Sequence, residues 1–503
     1  MSRTVDIRRL RRPLQWMTQA VRRPAEVENG SADEDKRREI RVSREPRPGV
    51  NLVGYLRAEM GLGEAARKLA RALEHAGIAF SEIPYERTVS RQQHPFESSR
   101  PREALYDANI ICLNPRQLPE FMEDVGVDVF AGRYSIGVWF WETSRFPEVN
   151  LNGFHFVDEV WVASDFVKEA VAAATRKPVR VVPLPIEVPP RPTFTRSALG
   201  LPESFLFLFS FDFLSAFERK NPIAVIEAFS RAFAPGEGPE LVIKSINGDR
   251  KPSKLELLRA AARGRPDVHL LDGYVSAEEK NALMATCDCY VSLHRSEGFG
   301  LTMAEAMSYG RPVIATAYSG NLEFMTEDNS YLVPYEPIRI SRDSGYPSET
   351  EWAEPDGSVT AQLMRRVYER QEEANVRGAR GREDILSSRT VERTAEFISR
   401  RLSEVRERWS SAGPREADPR IPLMLIAAEV SKGIGGDLSL GSKRRGPTSL
   451  VRRFFLRALW PYVADQHRVN AATLEALAAL QRSNVAEIEA LRDEKSASLR
   501  EAR

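Results

Sequence analysis

Short, continuous apolar runs alternate along the chain with longer stretches in which apolar residues recur every three or four positions. The runs at 49–55, 134–140 and 205–210 are rich in β-branched and aromatic residues, which is typical of strands buried on both faces. Stretches with helical spacing, such as 65–76 and 277–286, lie between such runs. This alternation predicts parallel sheets flanked by helices, which is the α/β class.

The predicted elements form two series, separated by a proline-rich segment that begins at Pro183 and predicts an interdomain linker. We therefore expect two Rossmann-like parallel-sheet domains, at 49–183 and 184–395. Strands are predicted at 49–55, 108–113, 134–140, 159–162, 179–182, 205–210, 241–244, 268–271, 289–293, 313–316 and 331–333. Helices are predicted at 65–76, 164–174, 253–262, 277–286, 301–309, 358–373 and 390–409.

The regions outside these domains are charged. Residues 1–48 form a tail in which arginines surround apolar side chains, and this predicts either a disordered segment or a basic amphipathic helix on an anionic membrane. Pro13 interrupts the apolar pattern and favours the disordered segment. Residues 396–413 continue the last predicted helix, and residues 414–503 form a helical extension.

Two segments of the extension suggest contacts. Arginines and aromatic residues mix at 450–460, which is typical of a membrane-interfacial helix or of a helix that docks on a partner. The leucine spacing at 474–491 fits either a short coiled coil, and hence an oligomer, or a single solvated helix.

Composition narrows the class of protein. The chain has 503 residues, of which 42% are hydrophobic and 28% are charged, and this is ordinary for a globular protein. A net charge of +1 gives no overall field that would attract nucleic acid. Cys112, Cys287 and Cys289 lie in or beside apolar runs without metal-ligand spacing, which predicts free thiols in a reducing compartment and no zinc site.

The expected location follows from what the sequence lacks. It holds no apolar run long enough to cross a membrane, and its start lacks the apolar core of a signal peptide. We expect a cytoplasmic protein, with basic tails suited to peripheral contact with the inner membrane face.

One loop carries the clearest candidate chemistry. The apolar run 289–293 leads into a loop with two glycines, and a helix is predicted from Leu301 to Tyr309. A strand, a glycine loop and a helix N-terminus together favour an anion, because backbone N–H groups and the helix dipole face it. Glu297 lies in the loop and Glu305 in the helix. Carboxylates accept hydrogen bonds from vicinal hydroxyls, so this pair beside a phosphate cradle suits a nucleotide-sugar.

A pair of cations follows the first strand of the second series. Arg219 and Lys220 come just before Pro222, which suits the first turn of a helix with Asn221 as its cap. Two cations beside a helix N-terminus form a clamp for a diphosphate.

Two further pairs have alternative interpretations. Gly61 and Gly63 lie in a predicted loop after the first strand, and they serve either a bound diphosphate or the packing of the next helix. Trp141 and Glu142 end a predicted strand. They fit either an acceptor site, since aromatic rings stack on sugars, or an aromatic core with a helix-capping carboxylate.

Residues 295–307 resemble the E-x7-E motif of retaining GT-B glycosyltransferases, the large group 1 or family 4 of these enzymes. The pair Arg219 and Lys220 looks like the donor-phosphate clamp of that family, and the order of elements matches over roughly residues 50–400. The resemblance implies a GT-B fold, in which two Rossmann-like domains face a cleft and the helix at 396–413 crosses back to the first domain.

The resemblance also implies roles for single residues. Arg219, Lys220 and Glu297 would be catalytic, Glu305 would hold the ribose hydroxyls, and Trp141 with Glu142 would lie on the acceptor side. The implied donor contacts are Gly61, Gly63, Tyr274, Val275, Gly298, Phe299, Gly300, Leu301 and Glu305.

We therefore expect a hexosyltransferase that uses a nucleotide-diphosphate sugar as co-substrate, with no cofactor, no metal and retention of configuration. GDP-mannose is the expected donor because it is common in the family, and the expected acceptor is a saccharide or a lipid-linked sugar. The alternatives are a GT-B hydrolase, epimerase or phosphorylase, or an inactive GT-B scaffold in a polysaccharide-synthesis complex. The four charged residues Arg219, Lys220, Glu297 and Glu305 favour an enzyme.

Overall fold

A computed structural model of the chain describes residues 40–96, 100–187, 194–341, 344, 346–347 and 349–412. The predictions for residues 1–39 and 413–503, including the membrane and oligomer contacts, lie outside the described residues. In the part of the chain that the structure describes, no helix combines the length and the apolar character needed to span a membrane.

The first domain is a parallel six-stranded sheet with the strand order β2-β1-β3-β4-β5-β6. Its strands are β1 (Val42–Gly54), β2 (Phe80–Pro84), β3 (Ala104–Cys112), β4 (Tyr134–Val138), β5 (Glu159–Val162) and β6 (Val179–Val181). Its helices are α1 (Gly61–His75), α2 (Leu118–Val125) and α3 (Asp165–Ala172).

The second domain is another parallel six-stranded sheet, with the order β12-β11-β10-β7-β8-β9. Its strands are β7 (Leu206–Asp212), β8 (Glu240–Ile246), β9 (Val268–Asp272), β10 (Cys289–Ser292), β11 (Val313–Thr316) and β12 (Tyr331–Val333). The helices between them are α4 (Phe217–Lys220), α5 (Pro222–Ala232), α6 (Pro252–Ala261), α7 (Ala277–Thr286) and α8 (Leu301–Ser308). This strand order is that of the Rossmann fold.

The remaining elements follow the second sheet. An antiparallel hairpin of β13 (Tyr335–Arg339) and β14 (Glu351–Pro355) belongs to neither large sheet. It is followed by the helices α9 (Gly357–Glu369), α10 (Gln371–Ser388) and α11 (Val391–Ala412).

Apolar residues cover both faces of the first sheet, as the continuous apolar runs predict. On β1, Leu52 belongs to one core cluster and Val53 to another, and Ile110 and Ile111 divide in the same way on β3. Successive side chains of a strand point to opposite faces, so each run fills two cores at once. The three cysteines are all buried and free.

The first strand begins earlier than the sequence predicts. It starts at Val42, so part of the segment assigned to the charged tail is paired, with Val42 opposite Ala104 of β3. Its neighbour β2 pairs only with Val50–Gly54. Among the described residues, the early part of β1 therefore pairs along one edge only. An edge of this kind tolerates prolines and charged side chains, and these hid the strand from the hydrophobic pattern.

The sequence pattern missed helix α10 (Gln371–Ser388). It predicts one helix over 358–373 and the next over 390–409. Two glycines in α10 lower its apparent helix propensity. A Cβ at one of them, Gly378, would lie 2.4 Å from the carbonyl oxygen of Gly310. The glycine is needed for close helix packing, which a single sequence does not reveal.

Helix α11 packs against the first domain. Its apolar residues Ile398, Leu402 and Val405 share a core cluster with Leu69 and Leu73 of α1. Since α11 follows the second domain in the chain, it joins the two domains through packed side chains as well as through the linker.

A buried ion pair fixes α11 to the sheet. Arg401 Nε lies 3.0 and 2.8 Å from the two carboxylate oxygens of Glu159, and the side chains are 3% and 0% exposed. Tyr134 and Trp161 each donate a further hydrogen bond of 2.9 Å to the same carboxylate. Every oxygen of Glu159 is thus satisfied, as a buried charge requires.

We expect Arg401→Ala to lower the free energy of unfolding by about 3 kcal/mol, because it leaves a buried carboxylate without its main partner. This is the lower end of the usual range, since Arg180 still lies 3.0 Å from Glu159. Urea denaturation followed by circular dichroism measures the change. Arg400→Ala, at an exposed arginine on the same helix, is the matched control. Equal stability of the two variants would show that the buried pair does not hold α11.

Candidate active site

Residues of both domains line one cleft of about 2020 Å³. In the second domain, the cleft lies beyond the carboxyl ends of β7 and β10, which are neighbours in the sheet. The strand order reverses between these two strands, and open α/β sheets bind their ligands at such a point. The fold itself therefore marks this cleft as the candidate site.

The loop after β10 is held from both domains. Glu297 N–H donates to Ser319 Oγ at 2.8 Å, and the Gly320 N–H donates to the Glu297 carbonyl at 2.9 Å. From the first domain, Ser164 Oγ donates to the Gly298 carbonyl at 2.7 Å. The position of Glu297 is thus fixed before any ligand arrives.

Two glycines allow the close approach of backbones around this loop. Gly300 caps α8 with φ of +94°, a left-handed conformation that favours glycine. A Cβ at Gly320 would lie 2.3 Å from the Gly298 carbonyl oxygen. Leu301 and Thr302, the first residues of α8, line the cleft. The N–H groups of a first helical turn have no intrahelical acceptors, so this end of α8 suits an anion.

The two predicted cations converge on Glu297. Arg219 is buried, and its Nη1 lies 2.8 Å from the Ser296 carbonyl oxygen and 3.3 Å from Glu297 Oε1. Lys220 Nζ forms an ion pair with the same Oε1 atom. Two cations meet at one carboxylate oxygen, although Lys220 and Glu297 lie 77 positions apart in sequence.

Asn221 occupies the N-cap position of α5, as predicted. Asn221 has a left-handed φ of +54°, and its side chain makes no capping hydrogen bond. The cations end the short helix α4, and Asn221 turns the chain from α4 directly into α5, a conformation that asparagine tolerates. Pro222 occupies the first turn of α5 as expected.

The ionisation of Glu297 reflects these contacts. Burial raises the pKa of its carboxyl, but Lys220 and then Arg219 outweigh burial and hold the pKa at about 2. Burial lowers the pKa of the Arg219 guanidinium, yet the surrounding negative groups raise it above its usual value overall. Glu297 is therefore ionised at neutral pH and stays paired with Arg219 and Lys220.

Glu305 lies in a second charged cluster of the cleft. Lys280 Nζ lies 3.3 and 3.4 Å from its two oxygens, and Glu305 raises the pKa of that lysine. On the first domain, Lys68 Nζ lies 3.6 Å from Glu64 Oε1. Burial lowers the pKa of Lys68, and Glu305 opposes that effect across the cleft. The two domains therefore interact electrostatically here.

A chain of contacts crosses the cleft at Tyr274. Its hydroxyl donates to Asn247 Oδ1 at 2.9 Å, and Asn247 Nδ2 donates to Asp212 Oδ1 at 2.7 Å. From the first domain, the Arg91 guanidinium lies 3.7 Å from the centre of the Tyr274 ring and pairs with Glu59. A planar cation on an aromatic ring shows that this ring face accepts a flat group.

Trp141 and Glu142 lie on the first-domain side of the same cleft. Glu142 Oε1 lies 3.8 Å from Arg219 Nη2. Trp141 Nε1 donates to Thr143 Oγ1 and to the Arg145 carbonyl, both at 2.7 Å. The carboxylate faces the cations instead of capping a helix, and the indole ring borders the cleft.

The two glycines near α1 differ. Both lie in the first turn of α1, not in a loop before it. Gly61 lines the cleft and has open space around its missing side chain. A Cβ at Gly63 would lie 2.6 Å from the carbonyl oxygens of Ala58 and Tyr55, so this glycine serves packing.

The other predicted site residues all line the cleft. They are Arg219, Lys220, Glu297, Tyr274, Val275, Gly298, Phe299, Gly300, Leu301, Glu305, Trp141 and Glu142.

Several cleft residues have no sequence signal. Lys68, Arg91, Lys280 and Tyr346 lie in helices or loops where charged and polar side chains are usually solvated.

His294 could have been identified from the sequence, because it directly follows the β10 run at the edge of the motif. It is fully buried, its Nε2 lies 3.1 Å from Asn321 Oδ1, and burial lowers its pKa, so it supports the loop as a neutral side chain.

Residues 203–341 match the family described as glycosyl transferases group 1. The lipopolysaccharide glucosyltransferase WaaG of Escherichia coli strain K12 is 31% identical over 124 residues, which are 25% of this chain. The match spans 32% of the length of WaaG.

Solved structures share the fold. Anabaena Alr3699/HepE in complex with UDP and glucose aligns with a TM-score of 0.53 at 15% identity, over 71% of this chain and 100% of that one. Sucrose-phosphate synthase from Thermosynechococcus elongatus aligns with a TM-score of 0.52 at 16% identity, over 73% and 100%. The predicted GT-B arrangement of two Rossmann-like domains is confirmed.

We expect Glu297→Gln to make stability less sensitive to acid. A carboxyl whose pKa is lowered on folding stabilises the fold above its unfolded pKa of about 4.5 and loses that contribution as the pH falls toward 2. The loss of unfolding free energy between pH 6 and pH 3 should be smaller in the variant than in the wild type, by urea titration. Glu256→Gln, at an exposed glutamate, should leave the wild-type slope. The wild-type slope in Glu297→Gln would contradict the assignment.

Proposed function

We propose that this chain transfers a hexose from a nucleoside diphosphate sugar to a saccharide acceptor, because residues 203–341 match the glycosyl transferases group 1 and the chain has the GT-B fold. The observation that carries the proposal is the convergence of Arg219, Lys220, Glu297 and Glu305 on one cleft. The two cations lie far in sequence from the two carboxylates, and the strand-order reversal brings both pairs to the same cleft.

The diphosphate of the donor would bind between the cations and α8. The guanidinium of Arg219 and the ammonium of Lys220 each carry several charged N–H donors. The first turn of α8 adds the positive end of a helix dipole. Glu297 pairs with both cations. Phosphate oxygens would add acceptors without removing Glu297, because guanidinium and ammonium groups each donate several hydrogen bonds.

The two carboxylates would hold hydroxyl groups. Glu305 would accept hydrogen bonds from the ribose, exchanging part of its contact with Lys280 for them. Glu297 would face the donor sugar from the loop that Ser164 and Ser319 hold in place. Tyr274 and Val275 would border the base.

The chemistry would be electrostatic. Cleavage of the bond between the anomeric carbon and the phosphate oxygen leaves a nucleoside diphosphate, and its growing charge would be stabilised by Arg219, Lys220 and the N–H groups of α8. For retention, the acceptor hydroxyl would attack from the face that the leaving group vacates, and its proton would pass to the departing phosphate oxygen. Both retention and independence from a metal are parts of this proposal.

An experiment must identify the base and the sugar of the donor. Alr3699/HepE was solved with UDP and glucose, and WaaG is a glucosyltransferase. We therefore place UDP-sugars beside GDP-mannose in the first screen. A lipid-linked acceptor and contact with the inner membrane face depend on residues 1–39 and 413–503, and they stay predictions.

An inactive scaffold with the same fold is the second candidate. Such a scaffold would keep both sheets, but it would not need cations where the strand order of the second sheet reverses. Thermal shift with UDP, GDP, ADP and CDP separates the two, since ligand at a hundred times its dissociation constant stabilises a protein by about 2.7 kcal/mol. An active transferase should respond to one base class, and an inactive scaffold to none.

We expect Lys220→Ala and Glu305→Ala each to remove about 2–4 kcal/mol of transition-state stabilisation, which is roughly a 30- to 1000-fold loss of transfer. The reason is that each loses one contact to the diphosphate or the ribose. Release of nucleoside diphosphate from the preferred donor measures the rate, and circular dichroism checks the fold. Arg259→Ala removes an exposed cation outside the cleft and should retain full activity. Wild-type turnover in Lys220→Ala or Glu305→Ala would refute the site.

A further inference from the structure

The hairpin β13–β14 connects the loop after β10, which carries Glu297, to the first domain. At its base, Ala353 N–H donates to the Arg295 carbonyl at 3.0 Å, and Arg295 Nε donates to Glu354 Oε2 at 2.6 Å. Arg295 lies two positions before Glu297 in the same loop. The hairpin is therefore fixed to the loop that carries the central carboxylate.

Tyr346 lies between the two strands of the hairpin and reaches the first domain. Its hydroxyl donates to Glu142 Oε2 at 3.2 Å. Its ring centre lies 5.7 Å from that of Trp141 and 5.4 Å from that of Trp352, which is buried. Trp352 supports the ring from within the hairpin, so Tyr346 is held against the cleft wall by side chains of both domains.

Glu142 therefore accepts a hydrogen bond at one oxygen and lies within ion-pair distance of a cation at the other. Tyr346 contacts Oε2, and Arg219 Nη2 lies 3.8 Å from Oε1. Burial raises the pKa of the Tyr346 hydroxyl, and Glu142 raises it further, so the phenol keeps its proton at neutral pH and can donate it in a hydrogen bond. A carboxylate fixed in this way presents its remaining lone pairs in one direction.

The position of this group relates it to the reaction. An attacking hydroxyl must come within a few ångströms of the carbon that leaves the pyrophosphate. Glu142 shares Arg219 with Glu297, so it lies one side chain away from the proposed pyrophosphate position, on the first-domain side. Two aromatic rings beside a fixed carboxylate match a sugar, which has an apolar face and a hydroxyl-bearing edge.

We propose that Tyr346, together with Trp141 and Glu142, forms an acceptor subsite for a saccharide ring, and that the second-domain hairpin thereby determines acceptor specificity. The acceptor role rests on the proposed function. One wall of the subsite comes from each domain, so the acceptor binds only where both domains meet. Tyr346 positions Glu142 and offers its ring to the sugar.

The test measures saccharide binding directly. Saturation-transfer difference NMR is recorded on the full chain with glucose, galactose, mannose and N-acetylglucosamine, each as the free sugar. Tyr346→Ala removes the ring and the hydroxyl, Tyr346→Phe removes the hydroxyl alone, and Tyr335→Ala is the matched control. Tyr335 lies on the same hairpin, but its ring contacts Tyr318 and does not line the cleft.

The wild type should give a signal with at least one of these sugars. We expect Tyr346→Ala to weaken that binding by about two- to tenfold, the range for loss of an aromatic contact, and Tyr346→Phe to weaken it less. Tyr335→Ala should bind as the wild type does. Binding of nucleoside diphosphates should stay within twofold in all three variants, roughly 0.4 kcal/mol.

Three results would overturn the subsite. They are wild-type sugar binding by Tyr346→Ala, no sugar signal from the wild type, and a parallel loss of nucleotide binding in Tyr346→Ala. Failure of the proposed function has a different signature, because it shows as no nucleotide binding by the wild type. The sugar signal needs neither nucleotide nor turnover, so the two failures are distinguishable.

Discussion

The structure of the cleft depends on one constraint, which is that the buried carboxylate of Glu297 must be neutralised. Lys220 and Arg219 supply the countercharges. They lie in α4, which follows β7, and Glu297 lies in the loop after β10, the neighbour of β7 in the sheet. A buried unpaired carboxylate would be costly, so the folded chain cannot separate these residues. The same requirement places Arg219 and Lys220 in the cleft, where they would stabilise the anionic leaving group of the proposed reaction.

A second constraint concerns the relation between the domains. Helix α11 ends the described chain on the first domain, with Arg401 buried against Glu159. The hairpin between β12 and α9 also reaches the first domain, through Tyr346. Both contacts restrict how the domains can move, and Tyr346 and Glu142 also line the cleft. A change in domain position would therefore alter the acceptor side and the cation side together.

Much of the fold follows from patterns in the sequence. Strands β5, β11 and β12 and helix α7 begin and end where the sequence places them, because each is a compact run with clear boundaries. The capping box at Ser276 and Glu279 is a local signal of this kind. By contrast, the early part of β1 was missed because a strand that pairs along a single edge tolerates prolines. Helix α10 was missed because its glycines lower the apparent helix propensity, while the folded protein needs them for close helix packing.

The candidate site divides in the same way. Glu297, Arg219 and Lys220 could be found because they follow strands whose carboxyl ends meet at one edge of the sheet. Tyr346 and Lys280 could not, since nothing in their own segments indicates the cleft, and only the folded chain brings them there. The Gly63 assignment fell between these cases, because a glycine that packs and a glycine that binds look alike in sequence.

The buried cysteines have a practical consequence for studies of domain motion. Cys112, Cys287 and Cys289 have no exposed surface, and burial raises the pKa of each thiol, to about 12 for Cys287. Alkylating dyes react with exposed thiolates, so they should leave the native protein unlabelled at neutral pH. One new surface cysteine on each domain would then carry a fluorophore pair, and the separation of the domains could be followed in a chain that keeps all its natural thiols.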